Sequence, residues 1–328
     1  MKSELSKLFI NRILTSILVL FLLITLVFLL IRLAPGNPVQ KFISPKLSPE
    51  LITHIEKSFN LDQPIHIQYF SFLTKIFTGD FGISYTYRTS VLTVIKNYFL
   101  FTLIFSSISF FLQFLIAFLI ARFTFKYKDR FIDRITNRFA VIIYTIPSFV
   151  LGLFLIIIFS VSLNLFPTSG IESIHNDSAS ILQKMSDHLY HLILPLITLT
   201  AAGSALFYRY LRDGFTQIAK MNFVTNLRAS GFSEKEIFNR HILPNAIQPL
   251  ISAAGIEFGI LMGGALITEV IFSLPGMGRL TVSAIINHDY PLVIGCTFIA
   301  GMIMILTNLI ADLVKVKFDK RLIKELIE

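Results

Sequence analysis

The sequence predicts an all-α integral membrane protein with six transmembrane helices, a small external subdomain and a polar helical loop on the cytoplasmic side. Three observations predict it. The 328-residue chain is 54% hydrophobic with 33 Phe and a mean hydropathy of +0.72, whereas soluble domains hold about 45–50% apolar residues. Six stretches have the roughly 20 apolar residues that a bilayer-crossing helix needs: Ile13–Ile31, Asn97–Ala121, Phe139–Ile171, Leu192–Tyr208, Leu250–Phe272 and Tyr290–Ala311. Between the fourth and fifth lies NLRASGFSEKEIFNRHILPNAIQP, a polar stretch punctuated by helix caps rather than by disorder signals.

Residues 1–32 form an N-terminal cytoplasmic segment and the first helix. Its apolar run exceeds the 7–15 residues of a secretory signal and no small-x-small cleavage site follows, so it is expected to stay as an anchor. Residues 33–96 form the external subdomain. APGNPV (Ala34–Val39) ends the first helix, and SPELITHIEKSFNL (Ser48–Leu61) reads as a helix with Ser48 as N-cap and Pro49 at its first position. Ile67–Ile76 is amphipathic and TGDFG (Thr78–Gly82) is a turn.

Residues 97–328 form a five-helix core. Pro147 is expected to kink the Phe139–Ile171 span near its start and Pro167 to end it. The external loop Pro167–His191 is expected to be helical over Ser178–Leu189. The loop at residues 222–249 carries the densest local signals. Ser233 and Glu236 make a capping box, Gly231 permits a turn with positive φ, and Pro244 breaks one helix or seeds the next. Two short helices folded at Gly231 suit a docking element.

Lys and Arg set the orientation. Twenty lie in segments that would be cytoplasmic with the N-terminus inside, and eight on the other side, which places both termini in the cytoplasm. The net charge of +9 is thus a topology signal; it is split among loops rather than gathered in a patch, which excludes nucleic-acid binding.

Catalytic chemistry is missing from the sequence. No phosphate loop, H-E-x-x-H, G-x-S-x-G or cysteine cluster occurs, so no nucleotide hydrolysis, metal or cofactor is expected of this chain. Cys296 is alone, inside the sixth span, and reads as a small apolar side chain. His188 and His191 share a helix spacing at a membrane edge, and Glu172, His175, Asp177 and Asp187 read as solvated loop residues. Glu257 is the exception, an ionisable group deep in the fifth span and therefore a candidate for the translocation pathway. Gly255, Gly259 and Gly263 around it have the i, i+4 spacing that lets helices approach closely. Glu269, near the outer end, reads as structural.

Seven strings, in order, resemble the inner-membrane permease subunits of bacterial ABC importers of the dipeptide/oligopeptide/nickel family: LLIRLAPGNPV, LDQPIHIQY, TGDFGISY, IPSFVLGL, FPTSG, EVIFSLPGMGRL and DYPLVIG. The loop is similar to that family's ATPase-coupling motif, with Arg228, Ala229 and Gly231, nine intervening residues that include Ser233 and Glu236, then His241, Ile242, Leu243 and Pro244. It departs at Thr225–Leu227, where the general importer pattern has Glu-Ala-Ala.

The resemblance implies a multi-pass subunit in the bacterial cytoplasmic membrane that forms a pore and does no catalysis. It implies two ATP-binding-cassette ATPase subunits, a second homologous permease and an external substrate-binding lipoprotein as partners. Di- and oligopeptides are the expected cargo, with nickel or a metal chelate as the alternative. A self-contained secondary transporter, the rival class, would show several intramembrane ionisable groups and paired broken helices, whereas this chain has Glu257 alone at depth.

Overall fold

The computed structural model describes residues 2–33, 63–173, 180–263 and 265–318. The turn expected at Ala34–Val39 and the helix expected at Ser48–Leu61 lie outside them. Among the described residues the chain is helical, with one isolated antiparallel bridge between Ile83 and Ser90.

Among the described residues five helices are long and apolar enough to cross a membrane, and a sharply bent pair would make a sixth if it counts as one span. They are α1 (Lys2–Leu33), α3 (Val91–Lys126), the pair α4 (Phe131–Thr145) and α5 (Ser148–Leu155), α6 (Ile181–Ala219), α10 (Gln248–Met262) continuing into α11 (Leu266–Ile271), and α13 (Tyr290–Phe318). Between α1 and α3 lies α2 (Ile65–Phe77), which covers the expected amphipathic stretch.

The pattern of burial is that of a bilayer protein. α3 turns Leu100, Ile104 and Phe111 outward, while Thr102, Ser106, Ser109 and Gln113, spaced along one face, are fully buried. Hydrocarbon solvates the apolar faces, so the inward faces carry the small and polar residues that join helices. Ser106 Oγ donates to the Leu261 carbonyl of α10 at 2.7 Å.

Three expectations need correction. The predicted Phe139–Ile171 span is not one kinked helix: the chain bends by 98° between α4 and α5. Pro147 forces Ile146 into the extended region (φ −72°, ψ 123°), as the residue before a proline requires. After α5 the helix relaxes into a π segment, Ile156–Ser162, and Ser160 Oγ donates to the Pro167 carbonyl at 3.1 Å. Secondly, no break separates the loop helix from the fourth span. α6 starts at the Ser180–Gln183 capping box and runs 39 residues, through Pro195. Nothing between Leu189 and Leu192 stops a helix, and Thr198 Oγ1 occupies the Leu194 carbonyl at 2.8 Å just past the proline. Thirdly, a ten-residue helix, α12 (Met277–Ile286), fills the stretch after the LPGMG turn, where none was predicted.

α1 lies at the edge of the bundle. Leu20 and Leu23 press onto Gly301 of α13, and Arg12 Nε lies 3.2 Å from Asp312. Phe28 packs with tilted rings against Tyr69 and Phe72 of α2, and Thr25 Oγ1 is 2.6 Å from the Tyr69 hydroxyl.

Candidate functional site: the helical loop and the membrane interior behind it

The loop between α6 and α10 folds as its local signals predict. α7 (Asn222–Ala229) ends in a Schellman turn: the Gly231 N–H donates to the Arg228 carbonyl at 3.0 Å and the Phe232 N–H to the Leu227 carbonyl at 3.2 Å. Gly231 takes φ +83°, the left-handed conformation this turn needs. Ser233 then caps α8 (Glu234–Ile237) through the reciprocal box with Glu236. A π segment (Phe238–Ile242) follows, and Pro244 sits in the first turn of α9 (Leu243–Ala246), seeding that helix rather than ending one. Asn245 Nδ2 donates to the His241 carbonyl at 2.6 Å.

Burial divides this loop in two. Val224, Ile237, Phe238, Ile242 and Ala246 are buried in one apolar cluster with Phe215 of α6 and Leu250 of α10. Residues from Ala229 to Glu236, including Gly231, Phe232 and Ser233, are exposed; Pro244 is exposed and His241 and Leu243 are half-buried. α6 comes so near α9 that a Cβ at Gly214 would lie 3.0 Å from the Ala246 carbonyl oxygen. The loop is therefore held firmly by its base and offers its tip.

Across the tip, Arg228 Nε donates to Glu234 Oε1 at 2.7 Å and its Nη2 to Oε2 at 3.3 Å. This bond raises the guanidinium pKa and lowers that of Glu234, two shifts that agree in direction. The Ser233 hydroxyl and N–H hold the Glu236 carboxyl below its usual range as well. The ring of Phe232 lies edge-on to His241, 6.4 Å between centroids.

Of the interior candidates, Gly255 and Gly259 face α13. A Cβ at Gly255 would lie 2.5 Å from the Ala311 Cβ, and one at Gly259 2.8 Å from Thr307 Oγ1. Gly263 has ordinary clearance from Ala300, 3.6 Å, so the close approach uses two of the three glycines. Glu257 is half-buried.

Two buried carboxyl groups organise the end of the bundle opposite the loop. Glu269 accepts from the Gly278 N–H (2.6 Å), the Arg279 N–H (3.0 Å) and Thr102 Oγ1 (3.2 Å), and Thr102 in turn accepts from the Met277 N–H at 2.8 Å. The carboxyl group thus caps the first turn of α12, where N–H groups lack helical partners. A Cβ on Gly276 would lie 2.3 Å from its carboxyl carbon, which explains a glycine in the LPGMG turn. Asp289 accepts from Ser84 Oγ at 2.5 Å and from the Thr86 N–H at 2.9 Å, tying TGDFGISY to DYPLVIG. Sequence analysis placed Asp289 only within the DYPLVIG string and passed over Gln113. Their partners lie 205 and 86 residues away, and no local signal reports such pairs. At this end also, His191 Nδ1 is 2.9 Å from the Asp187 carbonyl and His188 3.7 Å from Glu172.

Comparison with known proteins supplies the class. The chain belongs to the binding-protein-dependent transport system inner membrane component family, whose model matches residues 113–324, with the family's N-terminal part matching residues 5–106. It is an ABC importer permease subunit of the inner membrane, and such subunits are not themselves enzymes. Among curated proteins it is 32% identical over 302 residues to the glutathione transport system permease protein GsiC of Salmonella typhimurium, covering 92% of this chain and 94% of the relative. The Escherichia coli K12 GsiC is 31% identical over 303 residues, with the same coverage. Among solved structures, an amino acid ABC transporter with histidines matches at TM-score 0.50 and 16% identity, over 69% of this chain and 94% of that one, a likeness of fold.

Proposed function

We propose that this chain is the pore-forming subunit of an ATP-driven importer of di- and oligopeptides, and that the 222–249 loop receives the mechanical input from ATPase subunits. The observation that carries the reading is the division of the loop. Its exposed tip, Ala229–Glu236, offers a surface to a partner, while Ile237, Phe238 and Ile242 are packed into the same cluster as α6 and α10. Force on the tip then moves two spanning helices together, because close-packed interiors transmit displacement instead of absorbing it. ATP-driven closure of two cytoplasmic ATPases would shift the population between pore states by contacting the loop differently in each.

A second, homologous permease completes the pore and an external binding lipoprotein delivers cargo to the opposite end, where Glu269 and Asp289 fix the outer loops. Both termini and the loop face the cytoplasm. Peptides are favoured as cargo because the curated relatives named above are glutathione permeases, and glutathione is itself a tripeptide. Uptake of labelled peptide against labelled nickel, in a strain lacking this gene and in the complemented strain, tests the reading. Peptide uptake restored by the gene is expected; restoration of nickel uptake alone overturns the cargo.

A further inference from the structure

Arg212 and Asp133 join the loop-bearing helix to the bent span. Arg212 of α6 grips Asp133 of α4 with both arms of its fork, Nε donating to Oδ1 at 2.8 Å and Nη2 to Oδ2 at 2.9 Å. Asp133 is 2% exposed, and its Oδ2 also accepts from the Asp129 N–H at 3.1 Å. Asp129, at φ +64°, lies in the turn between α3 and α4. One buried carboxylate therefore fastens the start of α4 both to α6 and to the end of α3.

The same stretch of α6 carries the loop on its other side. Gly214, two residues and about 200° of helix from Arg212, is pressed against Ala246 of α9. Phe215 meets Phe238 of the loop edge-on, 5.0 Å between centroids. Displacement of the loop thus arrives on one side of α6 while Arg212 holds α4 on another. Past Asp133, Thr136, Phe139 and Ile143 of α4 line an apolar cleft of about 410 Å³ shared with α3 and α6. That flank of α4 has fewer packed neighbours to displace than a close-packed seam would offer, and the chain bends by 98° beyond its far end. A bidentate Arg–carboxylate pair fixes direction as well as distance. We propose that Arg212 and Asp133 form the joint that passes loop motion from α6 into α4 and on to the bend at Pro147, both acting as positioning residues for transport. The inference rests on the reading that the 222–249 loop receives the input of the ATPases, and adds the route by which that input leaves the loop.

The test uses spin labels in the full complex in proteoliposomes, supplied with binding protein loaded with trialanine. Labels at Lys235 and at Ile142, each paired with one at Ile310 of α13, report the loop tip and α4; all three positions are exposed, and native Cys296 is buried. In wild type, ATP with vanadate should shift both distances. Asp133→Asn keeps the shape of the side chain and removes its charge from the joint. In this variant the loop distance should still shift and the α4 distance should not. Trialanine uptake should fall about tenfold, the scale of one charge-assisted hydrogen bond, while ATP hydrolysis stimulated by the binding protein persists. Arg212→Lys, which keeps the charge but not the fork, should lie between the two and carries the test if the asparagine variant does not assemble. An α4 distance that stays fixed in wild type while the loop moves, or that shifts as much in the variants as in wild type, overturns this inference alone. So does loss of both shifts together in an assembled variant, which would make the pair a contact that only holds the fold. A wild-type loop distance that ATP leaves unchanged overturns the coupling reading and the joint with it.

Discussion

Arg228 and Glu234 clasp each other across Gly231, with the guanidinium Nε 2.7 Å from Oε1. The pair bridges the end of α7 and the start of α8. Both side chains are exposed, 42% and 68%, and a pair so wet contributes about 0.2–1 kcal/mol. Its value is geometric, holding the two short helices at a fixed angle for a partner.

Loss of that clasp should loosen the tip without unfolding the protein. Glu234→Gln is expected to speed amide hydrogen exchange at Phe232 and Ser233 and to leave thermal stability of the purified protein nearly unchanged. The Glu234 pKa is lowered in the fold, so the contribution is present above the ordinary Glu value of about 4.3 and disappears as pH falls through the lowered one. Exchange rates corrected for intrinsic pH dependence should be flat from pH 8 to about 5 and rise below. Equal exchange in mutant and wild type would show that the clasp does not order the tip.

Gly231→Val tests the turn itself. Nothing lies within 4 Å of a Cβ at this position, so the cost is confined to the backbone at φ +83° and amounts to about 1–3 kcal/mol. Membrane insertion should survive, while transport and stimulation of the ATPases fall. Gly231→Asn, which tolerates positive φ better, should be milder. Equal activity for the valine variant and wild type would remove Gly231 as a required hinge.

Gly276→Ala tests the opposite end by crowding instead of strain. The new methyl would meet the Glu269 carboxyl group at 2.3 Å, backed by Thr102 and the first turn of α12. A destabilisation of about 1–3 kcal/mol is expected from such overpacking, read as a lower melting temperature in detergent. Glu269→Ala, Gly276→Ala together should recover part of it. An alanine variant as stable as wild type would mean that the turn has room the structure denies.

The sequence was most legible where one short segment contains the whole cause. Ser233 with Glu236, Gly231 and Pro244 each act within four residues, and all three do what their chemistry dictates. Spanning helices were legible because hydropathy averages over 20 residues. The 98° bend at Pro147 was visible as a kink but not as an angle, since packing of α5 on α6 and α11 sets it. The continuity of α6 was hidden because the polar helix expected at Ser178–Leu189 and the apolar span beginning at Leu192 look like two elements when hydropathy alone divides the chain. Glu269, Asp289 and Gln113 were opaque in a different way. Each finds its partners only after helices far apart in the chain come together.

Topology is tested by labelling. Cysteine at Ser58 should react with a membrane-impermeant reagent in intact cells and cysteine at Ser233 should not. Native Cys296 is buried and adds little background. Reaction at Ser233 alone would invert the orientation.

The central claim is that the 229–236 tip meets an ATPase. A photo-crosslinking amino acid at Lys235, exposed on that tip, should trap an ATPase subunit in the assembled complex, with a yield that changes on adding ATP. The same probe at Arg88, exposed at the other end of the bundle, should not. Absence of an ATPase adduct from Lys235 in a complex that transports, or an ATPase adduct from Arg88 in its place, would contradict the account.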